Sequence, residues 1–174
     1  MKVCINAGHC PYLDPGAVGQ TGLQEADVCN ELMQKVSGHL TAIGYEVYLV
    51  QENSLATITT ASNEFGADLF LSIHCNGVEN INVRGTETFC YIFGGNGEIL
   101  ARCIQQQIVD SLGTIDRGVK TTNFYVLKYT DCPAVLVETA FISNSEDEQL
   151  LIARLDDFVA AIARGVTDYE NSIC

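Results

Sequence analysis

Ala67-Asp68-Leu69-Phe70-Leu71-Ser72-Ile73-His74 is a short, almost continuously apolar run that ends on a histidine. A run of this kind reads as a strand buried on both faces, as in a parallel sheet covered by helices. Val3-Cys4-Ile5-Asn6-Ala7-Gly8 has the same form and leads to His9. Ala134-Val135-Leu136-Val137 repeats it and leads to Glu138. In open α/β sheets, ligands and catalytic groups gather beyond the carboxyl ends of the strands. The chain has three histidines, and two of them stand at such ends.

Outward from these runs, apolar segments alternate with helical patterns, which implies strands joined by helices. Pro11 to Gly22 reads as a loop rich in Gly, Pro and Asp. Thr21-x-x-Gln24 matches a capping box. Val28, Leu32, Val36, Leu40 and Ile43 recur at helical spacing, and Gly44 ends that helix. Tyr45 to Val50 is expected as a strand, Ser54 to Phe65 as a helix and Ala67 to Ile73 as a strand. Thr86 to Phe93 alternates like an edge strand, and Gly97 to Leu112 carries a helical apolar face. Phe124 to Leu127 is read as a short strand, Ala134 to Val137 as a buried one, and the residues from Leu155 to Val166 as a closing helix. The expectation is an α/β fold: a single-domain sandwich over residues 1–174, with a mostly parallel sheet of about six strands and helices on both faces.

Length and composition agree. A chain of 174 residues, 47% apolar, can bury roughly 70% of its unfolded surface. No apolar run approaches the roughly 20 residues of a membrane span. The net charge of −13 and the pI near 4.4 disfavour nucleic acid, because phosphate is repelled and no basic stripe exists. An anionic membrane or cell wall would also be repelled, so a substrate in such a wall requires either that the local site overcome the global field or that another module do the docking. Eight cysteines form no C-x-x-C pair, and several fall in apolar strands or helical faces. They read as buried free thiols acting as small hydrophobes in a reduced compartment. No leader-like apolar segment precedes His9. The expectation is therefore cytoplasmic synthesis with release, or a domain trimmed from an exported protein.

A histidine at a strand end is commonly just a hydrogen-bonded loop residue. Two at one sheet edge suggest a metal instead. Hydrolytic zinc takes three protein ligands and leaves one position open. Glu25, in the first turn of the first helix, is the favoured third ligand, since a carboxylate is comfortable at a helix N-terminus. Asp14, Asp27, Cys10 and Cys75 compete for that place. Cys75 should point away from His74 if the strand continues. His39, mid-helix among polar residues, reads as surface. Glu138 suits a general base, which contributes about 10²–10⁴-fold in rate when well placed.

The motifs together resemble a known family. They are Asn6-Ala7-Gly8-His9, Asp14-Pro15-Gly16-Ala17-Val18-Gly19, Gly22-Leu23-Gln24-Glu25, Ala67 through Asn76, Asp116-Arg117-Gly118-Val119-Lys120, Asn123-Phe124-Tyr125-Val126-Leu127 and Pro133 through Asn144. In this order, from Lys2 to about Val166, the chain resembles the zinc-dependent type-3 N-acetylmuramoyl-L-alanine amidases. The resemblance implies a six-stranded α/β sandwich and one Zn2+ held by His9, Glu25 and His74, with Glu138 catalytic. It implies hydrolysis of the amide between N-acetylmuramic acid and the L-alanine of the peptidoglycan stem peptide. Asn76, Arg117 and Asn123 are candidate substrate contacts, and Arg117 and Lys120 suit the carboxylates of a stem peptide. The family usually has Asp in place of Asn6, Gly in place of Cys10 and Ala in place of Cys75, so tuning of a ligand from position 6 is expected to be weaker. Two rival readings remain at this level: a non-catalytic peptidoglycan-binding module, and a zinc peptidase cutting within the stem. A monomer acting on the cell wall is expected, either a phage-type lysin domain or a wall hydrolase domain.

Overall fold

Six strands form one sheet in the computed structural model, which describes residues 1–173. They are β1 (Lys2–Ala7), β2 (Glu46–Val50), β3 (Leu69–Asn76), β4 (Thr86–Cys90), β5 (Asp116–Thr121) and β6 (Ala134–Phe141). The helices are α1 (Glu25–Ala42), α2 (Leu55–Phe65), α3 (Asn96–Leu112), α4 (Tyr125–Lys128), α5 (Ser145–Ala153) and α6 (Leu155–Ile173). The strand order is β2-β1-β3-β6-β4-β5. Every neighbouring pair is parallel except β4 with β6.

Helices α1, α3 and α6 cover one face of the sheet. Val28, Leu32, Val36 and Leu40 of α1 are buried there at the spacing read from the sequence. Leu32 is fully buried, and truncating such a side chain to Ala costs about 2–5 kcal/mol. Helices α2 and α4 cover part of the opposite face, over Cys4, Phe70 and Leu136. Ser54 caps α2 by accepting the Thr57 N–H, and Gly66 closes it in the left-handed conformation. Among the described residues no helix is long and apolar enough to cross a membrane.

Several expectations require correction. Phe124 to Leu127 is not a strand: α4 begins at Tyr125, and the N–H groups of Leu127 and Lys128 bond to the Phe124 carbonyl. A four-residue apolar run does not distinguish the two states by periodicity. The missing strand is β5, whose Asp-Arg-Gly-Val-Lys-Thr sequence hides the signal because an edge strand tolerates charge. The strand at Thr86 lies between β6 and β5 rather than at an edge. Thr21 is not a helix cap. Its N–H and hydroxyl both donate to the buried Glu148, and the first N–H groups of α1 bond instead to the Ala17 and Pro15 carbonyls. Helix α5 escaped the periodicity reading because its buried Asp147 and Glu148 break the apolar stripe, although Asn144 caps it. Cys4, Cys10, Cys29, Cys75, Cys90, Cys103 and Cys132 are free thiols, while Cys174 lies outside the described residues.

Candidate metal centre

Both strands that carry the key side chains run past them. His74 lies within β3 and Glu138 within β6, as directly paired residues. The continuation of pairing to Asn76 and Phe141 includes a register shift beyond His74. Paired residues of adjacent strands present their side chains on the same face, so the imidazole and the carboxylate emerge side by side. His9 follows the end of β1, the strand next to β3, with φ of 58°. A non-glycine residue held in that region is strained, and such strain clusters at functional sites.

Glu25 reaches the same point from the start of α1 and is 4% exposed. Its Oε1 lies 3.0 Å from His74 Nδ1 and its Oε2 lies 3.2 Å from His9 Nε2. Backbone N–H groups support the same oxygens, Cys75 to Oε1 at 3.1 Å and Ala17 to Oε2 at 2.9 Å. The ligand atoms of His9, Glu25 and His74 all lie within 4.8 Å of one another. Of the competing residues, Asp14 stands behind His9, its Oδ2 2.7 Å from Nδ1. A carboxylate there accepts the Nδ1 proton and leaves Nε2 free to bind. Asp27 is exposed on the outer side of α1. The Cys75 thiol faces Thr139, 3.4 Å away, on the side opposite His74 as alternation requires. His39 is exposed. Asn6 touches none of the three ligand side chains among its bonds. It donates to the Ala7 and Val50 carbonyls and accepts from Ser72, so Asp14 rather than position 6 orients a ligand.

Two glycines shape the cradle. A methyl group at Gly8 would run into the His74 ring, and one at Gly16 would lie 2.6 Å from both Glu25 Oε2 and the His9 ring. Two imidazoles, one carboxylate, a fixed tautomer and space on one side are the donor set of hydrolytic zinc, so the residues present fit that ion.

The electrostatics follow the geometry. Burial pushes Glu25 up, but the hydrogen bonds with His74 and His9 outweigh it and hold the carboxyl down at about 2. Glu25 in turn, with Asp14, raises His9 to about 9 against the opposing effect of burial. Burial raises Glu138 to about 7, with its Oε2 enclosed and without a hydrogen-bond partner among the described residues. A cleft of about 420 Å³ opens over this group. It is walled by Leu55 and Ile58 of α2 and by Phe124, Tyr125 and Val126 at α4.

The structure therefore brings His9, Glu25, His74 and Glu138 together. Asn76 and Arg117 meet elsewhere, at Glu87 on β4, donating to its Oε1 at 2.8 Å and its Oε2 at 2.7 Å. Asn123 is exposed on the loop just before α4. Sequence reasoning overlooked Glu87 because a single acid in an alternating strand carries no signal. It also overlooked the two cradle glycines, although Gly8 directly precedes His9.

Comparison with known proteins shows the family. A family model described as N-acetylmuramoyl-L-alanine amidase matches residues 3–168. N-acetylmuramoyl-L-alanine amidase LytC of Bacillus subtilis is 38% identical over 175 residues, covering 96% of this chain and 35% of LytC. The chain thus spans about a third of that relative's length. Amidase AmiC2 of Nostoc punctiforme superposes with a TM-score of 0.92 at 31% identity, over 98% of this chain and 97% of that one. The catalytic domain of CwlV from Bacillus (Paenibacillus) polymyxa var. colistinus gives 0.90 at 29% identity, over 98% of each chain. With its ordered motifs, its sheet topology and a model match along nearly its whole length, this chain belongs to the N-acetylmuramoyl-L-alanine amidase family.

Proposed function

We propose that this chain is a zinc-dependent hydrolase that cleaves the amide between N-acetylmuramic acid and L-alanine in peptidoglycan. One observation carries the reading: three donor side chains converge within 4.8 Å, and a partnerless buried carboxylate oxygen stands one strand away. His9, Glu25 and His74 would hold the ion, and Glu138 is the catalytic carboxylate. When bound, zinc supplies Lewis acidity that polarises the scissile carbonyl and acidifies a water.

The chain's own groups do the rest. Asp14 keeps the His9 Nδ1 proton, so Nε2 presents its lone pair to the site. Glu138 takes a proton from the water that attacks the carbonyl carbon. It delivers that proton to the amide nitrogen as the C–N bond breaks, leaving a lactyl carboxylate and the free amine of L-alanine. Its raised proton affinity suits both halves of that transfer near neutral pH. Phe124, Tyr125 and Leu55 give the cleft an apolar wall. Asn123 lies next to that wall and is a candidate substrate contact. We further read residues 1–174 as one catalytic domain that works as a monomer on the cell wall, with docking aided by a separate wall-binding module.

Mass spectrometry of digested peptidoglycan tests the reading. An amidase frees intact stem peptides that begin with alanine. Glu138→Ala is expected to keep zinc and lose this release, while His74→Ala loses both. Fragments cut within the stem would indicate a peptidase, and binding without release would indicate a non-catalytic module.

A further inference from the structure

The chain carries a net charge of −13, and its few cations are mostly paired with acids. Of nine Lys and Arg residues, Lys2, Lys35, Arg84, Arg102, Arg154 and Arg164 each have at least one carboxylate that no other cation shares. Lys128 rests on the Tyr129 ring. Arg117 and Lys120 differ. Both bind the same oxygen of one carboxylate, Glu87 Oε2, and so leave a surplus positive charge. Among the described residues this is the one ion-paired cluster where cations outnumber acids.

The cluster is built rather than incidental. The Glu87 side chain is 7% exposed, while those of Arg117 and Lys120 are 32% and 40% exposed. The acid is therefore buried as a seat and the cations face outward. Asn76 donates to the other oxygen of Glu87, which fixes the plane of the carboxylate. The Arg117 guanidinium lies 4.8 Å from the centre of the Phe141 ring, and Lys120 Nζ lies 5.9 Å from that of Phe89.

Its position relates it to the reaction centre. Glu87 pairs directly with Glu138, which pairs directly with His74. The three side chains thus form a row across one face of the sheet. Phe89 lies two residues further along β4 on the same face, its ring centre 5.6 Å from that of Phe124 on the cleft wall. Adjacent strands are about 4.8 Å apart, so Glu87 lies about 10 Å from His74 across β6. An extended peptide covers that distance in roughly three residues, and in fewer once the reach of the Lys120 side chain is counted.

We propose that Arg117 and Lys120, seated on Glu87, bind a free carboxylate on the second residue of the peptide whose first residue carries the scissile amide. This deepens the amidase reading and rests on it. It gives the substrate a direction: the peptide runs from Glu138 across β4 toward β5, and the sugar lies on the side of the metal ligands. Glu87 is then a positioning residue, acting through the two cations.

The experiment uses two synthetic muropeptides that differ only in the second residue's α-carboxyl group, free acid in one and primary amide in the other. The wild-type, zinc-loaded chain is expected to favour the acid by about ten- to a hundredfold in kcat/KM, the usual range for a charge-assisted hydrogen bond. Lys120→Met and Arg117→Met each shrink that ratio, the double variant brings it near one, and Lys120→Arg preserves it. Glu87→Ala separates seating from bulk charge. It makes the chain more positive, yet the ratio should fall because the cations lose their seat; a rise would overturn the positioning role. Should Glu87→Ala fail to fold, as monitored by circular dichroism, the two Met variants at half-buried positions still decide. Equal rates on both muropeptides with the wild-type chain would overturn the subsite and leave the amidase reading standing. No release from either would overturn the amidase reading, and the subsite with it.

Discussion

Replacing Gly8 by Ala adds a single methyl group and aims it at one metal ligand. The methyl carbon would lie 2.8 Å from His74 Cγ, and closer still to Nδ1 and Cε1, where ordinary contact begins at 3.4 Å. The backbone imposes no other penalty, because Gly8 is not among the residues with positive φ. The imidazole must therefore retreat by about 0.6 Å at Cγ and by more at Nδ1, whereas metal–ligand distances tolerate only about 0.2 Å. The retreating atom is Nδ1, the one that faces Glu25 at 3.0 Å. Zinc affinity should fall by at least the ten- to hundredfold typical of lost ligand support, and muropeptide release should fall with it. The assay is competition for zinc against a chromophoric chelator, run beside Gly38→Ala. Gly38 lies inside α1 with nothing within 4 Å of an added methyl, so that change should stabilise by roughly 0.5–1 kcal/mol and leave zinc binding alone. If Gly8→Ala bound zinc as tightly as the parent, the claim that His74 Nδ1 is a ligand held by this cradle would be wrong.

Other expectations test neighbouring parts of the site. Glu138 carries a carboxyl raised from 4.5 to about 7 by burial, so the folded, metal-free chain holds a proton that the unfolded chain releases. Stability is then lost as pH rises from about 4.5 to 7, by roughly 3 kcal/mol. Glu138→Gln should recover this at pH 8 but not at pH 4, by urea denaturation of the metal-free protein, while release falls about 10²–10⁴-fold; a variant no more stable than its parent at pH 8 would refute the burial argument. Asp14→Ala removes the acceptor that orders His9, so zinc affinity should drop about ten- to hundredfold with little change in the melting curve. Glu148→Gln weakens a buried clamp that accepts from Gln20 and Thr21. It should cost about 1–3 kcal/mol in thermal denaturation, and zinc affinity should weaken too because the clamped loop leads into Glu25.

The legible parts share a physical basis. The runs ending at Ile73 and Val137 are apolar because the strands are central and buried on both faces, so they stood out without any structure. The α1 stripe was equally plain, since one helical face packs on the sheet. Edge and end elements were not. β5 keeps its charges because one of its sides has no strand partner, and α4 is too short to show a period. Thr21 looked like a cap by local pattern alone, but a carboxylate 127 positions away in the chain claims both its donors.

The amino-acid order by itself determined that strands and helices alternate, that His9, His74 and Glu138 stand at or near the ends of buried runs, and that Glu25 opens a helix. These follow from local periodicity and composition, which operate over a few residues. Only the tertiary structure decided that Glu25 rather than Asp14, Asp27 or a cysteine shares a point with both imidazoles. It alone moved Asp14 behind His9 and gathered Asn76, Arg117 and Lys120 around Glu87. The reason is register: β6 inserts between β3 and β4 although it is remote from both in sequence, and its pairing sets which side chains emerge on one face, a relation no local pattern encodes.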